Sequence, residues 1–229
     1  AGCKVLLIEK ADFPRDKICG DGVTGKSLGI LHEMGLDAEI AGIKEISCDS
    51  VLLSSPDETL LTIPIASPDD PLTAFCIERL LFDNVLYERA VESVKANGGT
   101  LLKEKVSGVV VESDVVTGVR VKDKTYSAKL VVGADGFNGP VSRHVMSETQ
   151  QPKQNRKHYS SAVREYWEGI EGSEGQIEIH FIKGILPGYF WIFPLSDKRF
   201  NIGVGMLLAD MDNQSVKLKE MLDWVVNES

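Results

Sequence analysis

Apolar residues along this chain fall into short unbroken runs, period-two alternation and stripes at helical spacing, and each pattern predicts an element. Val5 to Ile8 is an unbroken run of the kind buried on both faces of a parallel sheet, closed by Glu9. Leu28, Leu31 and Leu36, with Gly35 as a stop, predict a short helix ending near Met34. Val51-Leu52-Leu53, a turn at Pro56-Asp57-Glu58, and Leu60 to Ile65 predict a β-hairpin, followed by a connecting loop over Ala66 to Pro71. The strongest helical stripe is Phe82, Val85, Leu86, Ala90 and Val94, in a helix over Glu78 to Ala96 that Asn97-Gly98-Gly99 ends. Val106 to Val121 alternates as an antiparallel meander, and Leu130-Val131-Val132 predicts a second buried strand.

After a polar linker at Gln150 to Gln154, strand patterning resumes over Tyr159 to Trp167 and at Ile177, Ile179 and Phe181. Two further apolar segments follow, Tyr189 to Pro194 and Phe200 to Gly205. A last helix is predicted over Gln214 to Val226, with Leu218, Met221, Leu222 and Val225 inward.

A chain of 229 residues buries a substantial core, and 43% hydrophobic with 26% charged residues is ordinary for a globular protein. The formal net charge of -9 argues against nucleic acid, which requires clustered Lys and Arg. No run approaches the ~18 consecutive apolar residues of a membrane span, which leaves room for peripheral contact with a membrane. Cys3, Cys19, Cys48 and Cys76 form no C-x-x-C, and the histidines form no H-x-x-x-H, so neither a metal site nor a disulfide framework is expected. Reduced thiols suit a cytoplasmic protein.

Several positions carry candidate chemistry. An acidic residue closing the second strand of a dinucleotide-binding unit accepts hydrogen bonds from the adenosine ribose, and Glu9 suits that role or that of a solvated strand-end carboxylate. The strand is normally preceded by a Gly-rich turn and helix. The chain opens at Ala1 without G-x-G-x-x-G, so it is expected to be a piece of a larger protein, cut inside its first helix. Arg15 and Lys17 follow Glu9, and then Cys19-Gly20-Asp21-Gly22, where two glycines let backbone N–H groups approach a ligand. Arg79 in the first turn of a helix opposes the helix dipole, which a bound anion would offset; an exposed surface Arg is the plain alternative. Asp135-Gly136 closes the Leu130 run, at a ligand-binding strand end or at a simple turn. Tyr189, Trp191 and Phe193 share one strand face, as a sheet core or as the wall of a flat apolar pocket.

The stretch Glu9-Lys10, Phe13-Pro14-Arg15, Lys17 and Cys19-Gly20-Asp21-Gly22 resembles the E-K-x-x-F-P-R-x-K-x-C-G-D-G of geranylgeranyl reductase family flavoproteins. Gly133-Ala134-Asp135-Gly136 resembles their second motif, though Gly139 and Ser142 replace its Ser and Arg and Arg143 stands one place late. Tyr189-Phe190-Trp191-Ile192-Phe193-Pro194 and Gly203-Val204-Gly205 resemble their Y-x-W-x-F-P…G-x-G signature, unlike the W-x-W-x-I-P of flavin halogenases. The family's later Gly-Asp-Ala stretch, which binds the ribityl chain and second phosphate, is absent.

The resemblance implies an α/β fold of two domains related to p-hydroxybenzoate hydroxylase. A Rossmann-like FAD-binding domain (1–46 and 71–150) would interleave with an antiparallel β-sheet substrate domain (47–70 and 151–229). FAD would be held by Glu9, Arg15, Cys19, Gly20, Asp21, Gly22, Arg79, the Val106 backbone, Asp135 and Gly136, with Cys19 the candidate catalytic side chain. Tyr189, Trp191, Phe193 and Pro194 would line the substrate site. The implied activity is reduction of carbon–carbon double bonds in a prenyl lipid, with NAD(P)H or ferredoxin as donor. The alternatives are a flavin monooxygenase or halogenase, and a non-catalytic prenyl-lipid-binding fragment.

Overall fold

The computed structural model describes residues 2–23, 25–43, 46–65, 74–148, 156–171, 175–195, 198–215 and 217–228. The loop predicted over Ala66 to Pro71 and the linker at Gln150 to Gln154 lie outside these residues. In chain order the elements begin β1 (Leu6–Glu9), β2 (Gly22–Val23), α1 (Gly25–Glu33), α2 (Asp37–Ala41), β3 (Ile46–Cys48), β4 (Ser50–Ser54) and β5 (Leu60–Pro64). They continue with β6 (Ala74–Cys76), α3 (Arg79–Ala96), β7 (Thr100–Lys103), β8 (Gly108–Glu112), β9 (Val115–Val121), β10 (Lys124–Ser127) and α4 (Pro140–Glu148). The remainder is β11 (Ser160–Glu168), β12 (Gln176–His180), β13 (Tyr189–Pro194), β14 (Arg199–Leu207), α5 (Leu208–Gln214) and α6 (Leu218–Glu228).

The chain divides into two compact units, residues 1–13 with 86–155 and residues 14–85 with 156–229, the division falling within α3. In the first unit β1 pairs parallel with β7, placing Glu9 opposite Lys103. Gly99 makes the turn into β7 possible, because a Cβ there would strike the Val5 carbonyl and Val94. The predicted meander is β8-β9-β10, antiparallel throughout, with a bulge at Val110/Val111. One expectation fails here. Leu130 and Val132 lie in no strand and are 77% and 79% exposed. An apolar run becomes a buried strand only where neighbours pair with it and cover it, and the described residues supply none.

The second unit is built on a six-stranded sheet, β11-β14-β13-β12-β4-β5, beside a small β2-β6-β3 sheet. The large sheet is not wholly antiparallel, since β12 runs parallel to β4. One of its faces carries Phe190, Ile202, Val204 and Met206 and packs on Met221, Leu222 and Val225 of α6. The stripe at helical spacing in α6 thus meets a period-two stripe in the sheet. The helix predicted over Gln214 to Val226 is α6, which starts only at Leu218; a separate helix, α5, precedes it and ends where Ser215 takes a left-handed conformation (φ 54°).

The other face is organised by register. Tyr189, Trp191 and Phe193 stand opposite Gly205, Gly203 and Asn201 of β14, and these stand opposite Ala162, Arg164 and Tyr166 of β11. The first glycine of G-x-G therefore has a packing reason: the Trp191 ring lies over Gly203, where any Cβ would overlap the indole and the Val163 carbonyl. Gly203→Ala is expected to cost about 3 kcal/mol by overpacking. Gly205→Ala, whose Cβ would meet its neighbours at an ordinary 3.6 Å, should stay within about 1 kcal/mol. Urea unfolding midpoints of the two variants check both values.

Candidate functional site

The loop predicted to hold a cofactor lies on the Trp191 face of the large sheet. A Cβ on Gly20 would come within 3.0 Å of Phe193, and one on Gly22 within 3.6 Å of it, so the loop packs against the aromatic strand. Of the three aromatics, Trp191 is buried and Phe193 half-buried, while Tyr189 stays 41% exposed. Their centroids are 5.9 Å (Tyr189–Trp191) and 6.1 Å (Trp191–Phe193) apart, a tilted row along the strand. Pro194 does not join that row: it is buried opposite Phe200, on the α6 face of the sheet, because successive strand residues point to opposite faces.

A chain of buried hydrogen bonds joins the aromatics to the loop. Trp191 Nε1 donates to Asn201 Oδ1 (2.9 Å), and Asn201 Nδ2 donates to Asp21 Oδ2 (2.6 Å) and to the Cys19 carbonyl (3.4 Å). Asp21 Oδ1 in turn accepts from the backbone N–H of Arg79 (3.0 Å), the first residue of α3. Asp21 and Asn201 are 1% and 0% exposed, so neither side chain has water as an alternative partner. Burial pushes the Asp21 carboxyl above its ordinary 3.8, against the opposing pull of Asn201, the Arg79 N–H and the Arg164 charge. Tyr166, beside Asp21, is also pushed up, by burial first and then by the Asp21 charge.

The offset expected at Arg79 comes from the protein itself. Arg79 makes a bidentate contact with Asp83 (Nε to Oδ1 2.8 Å, a terminal nitrogen to Oδ2 2.9 Å), and Arg15 reaches the same carboxylate at 3.1 Å. Two guanidinium groups share one carboxylate at the start of α3, where the Asp21 carboxyl also takes the Arg79 N–H. Cys19 is an exposed free thiol. Cys48 and Cys76 are buried free thiols with sulfurs 3.9 Å apart.

In the other unit, Glu9 accepts from the Ala11 N–H (2.8 Å), and Val106 is half-buried in the approach to β8. Asp135 accepts from Val141 N (2.8 Å) and Ser142 N (3.4 Å), so its carboxylate caps α4. Gly136 has φ 71°, which favours glycine, and a Cβ there would meet nothing within 4 Å. The structure thus brings Arg15, Cys19 to Gly22, Arg79, Trp191 and Phe193 together in one unit, whereas Glu9, Val106, Asp135 and Gly136 fall in the other, each with its own local partners. Sequence reasoning missed Asn201, Arg164 and Tyr166. Asn201 did leave a signal, being an amide inside the apolar stretch Phe200 to Val204.

Comparison with known proteins follows this geometry. Residues 158–229 match the model of the geranylgeranyl reductase catalytic domain. Menaquinone reductase of Mycolicibacterium smegmatis is 28% identical over 98% of this chain and 54% of its own length. Digeranylgeranylglycerophospholipid reductase 1 of Methanococcoides burtonii is 28% identical over 90% of this chain and 49% of its own. The chain thus spans about half the length of the curated relatives it matches. Among solved structures, a geranylgeranyl bacteriochlorophyll reductase-like protein of Thermoplasma acidophilum superposes with TM-score 0.74 at 24% identity, over 96% of this chain and 54% of that one. A flavin-dependent brominase superposes with TM-score 0.73 at 20% identity, over 99% of this chain and 56% of that one. The fold is the mixed α/β fold that these two structures share. Over residues 158–229 the chain is similar to the geranylgeranyl reductase catalytic domain, and the resemblance read from the motifs is borne out.

Two outcomes test the buried chain of bonds. Asn201→Leu strands the Trp191 N–H and an Asp21 oxygen together and is expected to cost about 3 kcal/mol, more than Trp191→Phe, as urea unfolding will report. Asp21 holds more protons folded than unfolded between its ordinary and raised values, so its contribution to stability is lost as pH rises through that window. Unfolding free energies measured from about pH 4 upward should fall more in the native protein than in Asp21→Asn.

Proposed function

We propose that the full-length protein is an FAD-dependent oxidoreductase that reduces carbon–carbon double bonds of a geranylgeranyl-type prenyl chain. The observation that carries this reading is the packing of the Cys19 to Gly22 loop on the aromatic strand, with Asn201 bonded to both. A loop whose glycines give a ligand access to the backbone thereby adjoins a row of flat apolar rings.

The residues present fit the cofactor. Two guanidinium groups gathered on one carboxylate at the start of α3, Arg15 and Arg79 on Asp83, suit a pyrophosphate. Within the second unit Arg15, Cys19, Gly20, Asp21, Gly22 and Arg79 would hold it. When bound and reduced, FAD supplies the hydride. Tyr189, Trp191 and Phe193 would orient the alkene and exclude water, and the Trp191–Asn201 bond fixes the middle ring of that wall. Cys19, exposed on the loop, is the thiol for which a direct role is worth testing.

Free thiols and a lipid substrate support a cytoplasmic protein in peripheral contact with a membrane. No helix among the described residues is long and apolar enough to cross one. NAD(P)H and ferredoxin are the donor classes to compare.

The deciding experiment is anaerobic reduction of the full-length protein, followed in the visible spectrum, with geranylgeranyl lipid or oxygen then added. Reoxidation by the lipid, with a saturated product by mass spectrometry, is the expected result. Reoxidation only by oxygen, with an oxygenated or halogenated product, would transfer the protein to its oxygen-using structural neighbours. Retained lipid without flavin absorbance would leave a binding module. Cys19→Ala with turnover unchanged would remove the thiol from the mechanism.

A further inference from the structure

The Pro14 to Gly22 loop has almost no regular structure, yet it is tied down at closely spaced points by the sheet beneath it. Arg164 of β11 donates from one terminal nitrogen to both Asp16 oxygens (2.5 and 2.7 Å) and to the Lys17 carbonyl (3.2 Å). Asn201 of β14 holds the Cys19 carbonyl and Asp21. The Arg164 side chain is only 6% exposed and lies 4.0 Å from the Tyr166 ring centroid, whereas Asp16 is 46% exposed. Its Nε is buried without a hydrogen-bond partner. A buried, incompletely satisfied guanidinium is a poor device for stability alone. It is a good one for setting the shape of the loop it grips, because one nitrogen holds the Asp16 side chain and the Lys17 backbone carbonyl together.

We infer that Arg164 and Asn201 are positioning residues that hold the Pro14 to Gly22 loop in its ligand-ready shape before any ligand arrives. The inference rests on the FAD reading for the identity of that ligand, but the pinning itself stands on the contacts. Neither residue belongs to the motifs that carried the family resemblance.

The loop contains a protease-sensitive bond after Lys17, which gives a readout independent of turnover. In full-length, cofactor-free protein, Arg164→Met and Asp16→Asn break the same contact from its two sides. Tryptic cleavage after Lys17, corrected against the matching free peptide, is expected to accelerate at least ~10-fold in both, with FAD binding weakened at least ~10-fold by flavin fluorescence. Asp16→Asn alters a half-exposed residue, so it keeps the test valid if Arg164→Met fails to fold. Cleavage at the native rate would overturn the inference, as would faster cleavage with unchanged FAD affinity. A native protein that binds no FAD, with cleavage still accelerated in the variants, would overturn the functional reading and support the pin.

Discussion

The second unit depends on one amide. Asn201 is fully buried, and its two ends satisfy groups that approach it from different parts of the chain, the Trp191 indole and the Asp21 carboxyl. An amide is the smallest side chain that can accept from one partner and donate to another in the same plane. A carboxylate in its place would confront Asp21 with like charge, and an aliphatic residue would strand both neighbours. Because Asp21 also receives the first N–H of α3, this one residue links the aromatic strand, the glycine loop and the start of the longest helix.

Charge in this region is handled by pairing at the periphery and by dryness in the middle. Tyr166 lies between two guanidinium groups, Arg164 at 4.0 Å and Arg199 at 5.0 Å from its ring, each anchored by its own carboxylate, Asp16 and Glu78. The central carboxyl, Asp21, has hydrogen-bond donors around it and burial pushing it toward the neutral form. Positive charge thus frames the loop while its interior avoids a bare ion. That is the cheaper way to bury acidic chemistry in a medium of low dielectric.

Much of this was legible from pattern. The hairpin β4–β5, the long helix α3 and the alternating strands of the large sheet follow from spacing, because one buried face imposes period two on a strand and 3.6 on a helix. The Leu130 run misled because apolar character says a segment can be buried without saying what buries it. The links that organise the site lay further from view. Asp16 and Arg164 are 148 positions apart, and Asp21 and Asn201 are 180 apart. No local spacing encodes such a meeting; only the sheet register, which sets Tyr189, Trp191 and Phe193 against Gly205, Gly203 and Asn201, brings it about.

That register also constrains the protein's history. Trp191 fills the space that Gly203 vacates and spends its N–H on Asn201, so the three positions behave as a single inherited character rather than as three. A lineage that replaced the indole with a smaller ring would loosen both positions together, while the Val163 carbonyl would still press on Gly203 and Asp21 would still hold Asn201. Divergence on this face should therefore arrive in blocks, with the rest of β14 free to drift around them.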